Sequence, residues 1–334
     1  MDQANLHRLL DANLRLPPEY RDQLTNHLPM ALQALHAMGA SEQRLDDFFA
    51  VYAQRFVGLE AVPDASPVAD WCALRGTSDG FAALRATFVR ALAGKGRDTV
   101  LREALPHLLP GVAAAAFHGL IRTAHAIEAG HDGELAAALA YWAWRWQALA
   151  LPPIQAPLEF DEWANELTAQ AADWTCEGPL ISIRMGIAAA SAPYRALAGR
   201  LAASHDLLPR LADFAARRYA LTANFTVLHL VTGVRAFRVV SPWLDDVAAA
   251  KLLLVHAFTA AYLAARVDLR AEPILPPALT WPEVIAAATA SDDDHLVKLV
   301  HACREEQAAY GNAATLAAAR RAVAPARLRA DTAP

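Results

Sequence analysis

Residues 291–303 read SDDDHLVKLVHAC. Ser291 followed by Asp292, Asp293 and Asp294 is a helix start: a side-chain oxygen to cap the first amides, then negative charge against the positive end of the helix dipole. Leu296, Leu299 and Val300 follow at helical spacing, so a helix is expected over Asp292–Tyr310. His295 and Lys298, three residues apart, share one face of it, and the small Ala302 one turn on leaves room beside them. An ammonium is no metal ligand, so two readings stand. Lys298 snorkels to solvent or pairs with Asp294 at i−4, or His295 and Lys298 both point into a buried polar site.

The same pattern of period and punctuation recurs along the chain. Alanine and leucine dominate, prolines sit between periodic segments, and no run alternates like a strand for long. The expected fold is all-α: one large multi-helical domain over residues 1–320, with a basic, disordered tail over 321–334. Residues 150–158 (LPPIQAPLE) form a linker, but no change of composition follows it, so it does not divide the chain. Helices are expected over Asn5–Leu14, then from Pro29 to Gly39 with His27 at the entrance, and over Leu45–Phe56. Gly80–Ala93 and Thr99–Leu109 follow, separated by Gly94-Lys95-Gly96. Val112–Gly130 reads as an apolar helix of small residues, Glu134–Leu149 as an aromatic-rich one, and Trp163–Asp173 as a further helix. Leu208–Val240 reads as one long helix around His229, and Leu244–Val267 as another carrying His256. A proline-rich connection through Pro273, Pro276, Pro277 and Pro282 leads to a short helix and then back to the stretch quoted above.

Composition bounds what this fold can do. Hydrophobic residues make up 55% and charged ones 19%, ample for a sizeable core and incompatible with disorder over most of the length. A net charge of −5 gives no reason to expect nucleic acid or an anionic membrane surface as a partner. Cys72, Cys176 and Cys303 are dispersed and odd in number, which excludes a disulfide framework and a CxxC site. The stretches Leu221–Val240 and Val247–Val267 are long and apolar, but each carries histidine and charge inside it, which fits buried core helices better than membrane spans. A cytoplasmic protein with no membrane partner is expected.

No GxGxxG after a strand, P-loop, HExxH, GxSxG or paired CxxC occurs. What remains is histidine. Of twelve, His27, His118, His229, His256 and His295 stand in, or at the entrance to, strongly apolar helices. A buried imidazole needs partners for both nitrogens, and satisfied core histidines would supply one explanation. Imidazoles brought by separate helices into a bundle interior would supply the other, a transition-metal site, with iron, manganese or copper favoured over structural zinc by the lack of cysteine pairs. His125, two turns from His118, is too far along the helix to bind the same ion. The run Trp142, Trp144 and Trp146 reads as core packing.

Five segments carry a resemblance: NHLPMALQALHAMGA from Asn26, FHGLIRTAHAIEAG from Phe117, ELAAALAYW from Glu134, VLHLVTGVRAFR from Val227 and DDDHLVKLVHAC from Asp292. In this order they resemble the questin oxidase-like family. The resemblance implies an all-helical oxygenase, whose fungal members open a ring of anthraquinones such as questin. It also implies an iron (Fe2+) centre held by histidines and by a lysine carrying a CO2-derived carboxylate. Matched by motif, the ligands are His27, His118, His229, His295 and carboxylated Lys298. Arg122, on the His118 face, is the candidate contact for a phenolate or an oxygen-derived anion. His256 is the further candidate, beside the metal set or simply in the core.

The resulting expectation is an iron-dependent mono- or dioxygenase with O2 and a small aromatic or polycyclic quinone-like molecule as its partners. NADPH is the candidate external reductant and would bind without a recognised motif. A zinc-dependent hydrolase or lyase using the same histidines and a non-catalytic helical binding protein are the alternatives.

Overall fold

Local sequence explains most helix boundaries in the computed structural model, which describes residues 3–21, 23–153, 155–267 and 278–324. The chain opens with α1 (Ala4–Asn13), which buries Leu6, Leu9 and Leu10, and a two-stranded antiparallel hairpin, β1 (Glu19–Tyr20) with β2 (Leu24–Thr25). The hairpin, absent from the sequence reading, turns through left-handed Arg21 and Gln23. Next, α2 (Leu28–Ala37) starts with His27 at its cap and Pro29 in its first turn, where a missing N–H costs nothing. Ser41 caps α3 (Glu42–Ala53) by accepting from the Arg44 amide at 3.2 Å. The helices α4 (Phe81–Lys95) and α5 (Arg97–Leu108) are separated by Gly96 alone, at φ 76°, so Gly94 and Lys95 remain helical.

The expected helix over Val112–Gly130 is half right. Ala115, Ala116 and Phe117 are left-handed, with φ of 46°, 55° and 68°, and α6 (His118–Ala129) begins only after them. Alanine propensity argues for helix at these positions, and tertiary structure overrides it. The next helix, α7 (Asp132–Trp144), stops short of the expected Leu149.

In the second half come α8 (Phe160–Asp173), α9 (Ile181–Ala189), α10 (Ala192–Leu197), α11 (Leu207–Thr222) and α12 (Phe225–Val240). The single helix expected over Leu208–Val240 is thus two. Ala223 ends the first in the left-handed region, and the Asn224 side chain accepts from the amides of Thr226 and Val227 to start the second. The chain continues through α13 (Val247–Ala264), α14 (Trp281–Thr289), α15 (Asp294–Tyr310) and α16 (Ala313–Val323). The last of these carries the helical fold past residue 320, and Arg321, placed in the tail by the sequence reading, is buried within it. Pro273, Pro276 and Pro277 lie outside the described residues.

At the centre, α2, α6, α12 and α15 form a closed ring in which each helix packs against two of the others. Close approach depends on two glycines. A Cβ on Gly119 would stand 2.6 Å from Trp142, and one on Gly233 would stand 3.2 Å from Phe117. Behind α6 lie α7 and then α4; α11 and α16 cover α12 and α15, and α13 packs against α12 and α9. By length and composition α13 could cross a membrane, but it buries most of its surface inside this fold.

Candidate metal centre

All four ring helices bring their N-terminal ends to one place. His27 caps α2, His118 is the first residue of α6, His229 lies in the second turn of α12 and His295 is the second residue of α15. Their imidazoles form a ring of their own. Centroid separations are 4.6 Å for His27–His118, 4.9 Å for His118–His229, 5.6 Å for His229–His295 and 4.5 Å for His27–His295.

The outward nitrogen of each imidazole is committed. His229 Nδ1 donates to the Phe225 carbonyl at 2.8 Å, and His118 Nδ1 donates to the carbonyl of Ala115. The left-handed turn at Ala115–Phe117 is what brings that carbonyl to the ring. His27 Nδ1 and His295 Nδ1 meet the two oxygens of Asp294 at 3.3 and 2.6 Å. Carbonyls and an ionised carboxylate only accept, so each Nδ1 carries a proton, and in a neutral imidazole the Nε2 is left with a lone pair. Two of those lone pairs, on His27 and His118, face each other 2.8 Å apart. Neither can donate to the other; a cation is what would make the approach favourable. Two nitrogens at right angles on one ion, with bonds of about 2.0–2.1 Å, would stand about 2.9 Å apart. His27, His118 and His295 also keep their ligand atoms within 4.8 Å of one another. Outward N–H groups anchored to carbonyl and carboxylate are the usual second shell of metal-binding histidine. The donor set fits a transition-metal ion.

Burial keeps His27, His118 and His229 neutral. Burial, helped by the Lys298 charge, lowers His27 to about 3. Burial also holds His118 and His229 well below the usual imidazole range. Burial alone would raise the Asp294 carboxyl, but His27 and His295 outweigh it and hold the group well below the usual carboxylate range. Arg55 adds a contact to Asp294 at 3.1 Å and is itself stacked on Tyr52.

Lys298 is 2% exposed, and burial lowers its amine to about 8 against the opposing pull of Asp294. Its charge lowers the imidazoles of His27, His118 and His229, and also that of His125 one layer down. The snorkelling reading therefore fails. So does a direct pair with Asp294, whose ion-pair contacts among the described residues are to His27, Arg55 and His295.

The imidazoles floor a cleft of about 380 Å³. Its walls are largely apolar, with Leu24, Leu180 and Ile181, and it also meets Tyr20 and the cations Arg145 and Arg184. Phe225 is 50% exposed and lies against His295 and His229, with ring centroids 4.6 and 5.0 Å away. An exposed aromatic against these imidazoles is a ready stacking surface.

Two sequence candidates stand elsewhere. Arg122 shares the His118 face but is buried and held by Glu134 on α7, with Nε–Oε1 at 2.6 Å and Nη2–Oε2 at 3.0 Å, and it does not line the cleft. His256 lies on α13 beside Tyr194, 3.4 Å from its hydroxyl, away from the imidazole ring. The tryptophans are packing groups: Trp142 and Trp144 donate to the carbonyls of Gly111 and Ser78. Sequence reasoning missed Asp294 as the shared anchor, and Phe225, Arg145 and Arg184 as cleft residues. Asp294 had a signal, since it is the acid adjoining a candidate ligand; the others had none.

Residues 24–173 match the family model described as Questin oxidase-like, the same family that the sequence segments resemble. No curated protein matches the chain.

Proposed function

We propose that this protein is an iron-dependent oxygenase that opens a ring of an aromatic or polycyclic quinone-like substrate. The family match suggests an oxygenase. The observation that carries the metal is the set of four imidazoles lining one cleft with every Nδ1 committed and the Nε2 atoms of His27 and His118 facing each other. Iron held there would supply the one-electron chemistry that lets O2 react with a closed-shell aromatic. His27, His118, His229 and His295 are the residues to hold it, and Asp294 orients two of them. Phe225 and the apolar wall bind and stack the aromatic face and exclude water from it. NADPH is proposed as the external reductant.

Lys298 belongs to the same proposal. Four neutral imidazoles leave an ion's charge to be offset by Asp294, and four helix N-termini add positive potential at the same point. An ammonium on Lys298 would add more. The buried amine is instead suited to take up CO2: the nitrogen lone pair bonds to carbon, a proton leaves, and a carbamate replaces the cation. A carbamate supplies a hard anionic oxygen beside the ring.

The test is metal content of protein purified without chelator, for wild type, Lys298→Ala and Lys298→Arg. Near-stoichiometric iron in wild type and its loss from both variants, with helical content retained, is the expected result. Arginine keeps the charge but forms no carbamate, so iron retained by Lys298→Arg would sink the carbamate role. Zinc in wild type would turn the reading to a hydrolase or lyase, and no metal to a binding protein.

A further inference from the structure

We infer that the cleft selects aromatic ligands bearing an acidic group, and that Arg184 is the residue that reads it. The inference rests on the aromatic-substrate reading above and adds a charge requirement to it. Two guanidiniums line the cleft, and they differ in one respect. Arg145 is already compensated: it lies 3.3 Å from the Glu19 carboxylate and donates to Gln23 Oε1 at 2.6 Å. Arg184 has no carboxylate within ion-pair distance among the described residues. The acid nearest in sequence, Glu177, is taken by Arg266, with both contacts at 3.2 Å.

Arg184 is nonetheless held in place. Its Nη1 donates to the Gly178 carbonyl at 2.9 Å and its Nε faces the Ala264 carbonyl at 3.4 Å. Gly178 also leaves room for the stem, since a Cβ there would stand 3.1 Å from Arg184 Cγ. A half-buried cation anchored by neutral carbonyls is pre-organised but not ion-paired, and burial together with the nearby Arg266 lowers its affinity for its own proton against the smaller pull of Cys176 and Glu177. An anionic substituent on the ligand removes that imbalance through charge-assisted hydrogen bonds. The N-termini of α2, α6, α12 and α15 converge on the floor of the same cleft and add potential of the same sign. A neutral aromatic gains only the apolar wall and Phe225.

The probe pair is anthraquinone-2-carboxylate and its neutral carboxamide, titrated by quenching of tryptophan fluorescence. Wild type should bind the carboxylate about tenfold or more tighter than the amide. In Arg184→Gln that preference should collapse toward unity while amide affinity, metal content and helical content stay at wild-type level. Arg145→Gln should keep the preference. Equal binding of the two ligands by wild type, or a preference that survives in Arg184→Gln, would overturn the inference and leave the aromatic reading standing. Failure of wild type to bind either ligand would overturn both.

Discussion

The four central helices carry two buried polar tiers, and they behave differently. The upper tier is His27, His118, His229 and His295. Six or seven residues further along the same helices come Gln33, His125, Arg235 and His301, about 10 Å down the axis. In the upper tier each Nδ1 has an acceptor, the Nε2 atoms of His27 and His118 face each other, and all four imidazoles line the cleft. In the lower tier the polar groups turn to each other. His125 Nδ1 meets Gln33 Oε1 at 2.5 Å, and Arg235 pairs with Glu128. His301 Nδ1 and two nitrogens of Arg235 are buried without a hydrogen-bond partner among the described residues. A permanent guanidinium in that layer repels any cation. Two histidines in a helical core are thus no guide to metal by themselves; two Nε2 atoms facing each other across a cleft, and no guanidinium in the same layer, distinguish ligand from filler.

This contrast breaks first under alanine. His118→Ala should drop metal from near-stoichiometric to background and abolish oxygenation, whereas His301→Ala should leave the metal-to-protein ratio unchanged. Elemental analysis of both variants decides it, and metal retained by His118→Ala would erase the distinction between tiers. Next in size is the stability of the lower tier. Arg235→Leu removes one partner of a buried pair, a loss of roughly 3 kcal/mol by urea unfolding, at the lower end of the usual range because Glu128 is partly exposed and can rehydrate. Metal per folded molecule should not change.

The smallest effect is a slope. Burial, and then the Arg235 charge, holds His125 and His301 well below the usual imidazole range. Above pH ~6.5 both are neutral, folded or unfolded, and their folding contribution is complete. As pH falls below that value the unfolded chain takes up protons that the folded chain refuses, so stability declines. His301→Leu should therefore lessen the acid-side loss by up to about 1.4 kcal/mol per pH unit. Unfolding of metal-free protein between pH 7 and 5 measures it. An unchanged slope would mean that His301 is protonated in the folded state.

Much of this was legible beforehand because it depends on near neighbours. Caps, prolines and apolar period locate α2 and α15 within a residue or two, and histidines in apolar helices mark the upper tier. What was not legible depends on distant ones. Arg122 lies on the correct face, but Glu134 on α7 holds its side chain. His256 sits in as apolar a helix as His229, yet α13 is outside the ring. The left-handed turn at Ala115–Phe117 hides in an alanine run whose local preference is helical. Only the packing of Phe117 against Gly233, on another helix, explains the close fit there. His301 stood in plain view within the first stretch quoted but offered no local sign of its partners.

The four ring helices share one direction, and each is reached only after the chain has travelled back outside the ring. During synthesis this becomes an order of events. His27 and His118 emerge first of the four, inside the stretch that matches the family model; His229 follows, and His295 comes last. Asp294, which steadies His27 from 267 positions away, arrives with it. A nascent chain therefore holds an incomplete centre until His295 has emerged, and closing it is a contact of very high order, slow to form and dependent on every helix between. An ion captured by the finished ring would close a loop running from residue 27 to residue 295 of the polypeptide.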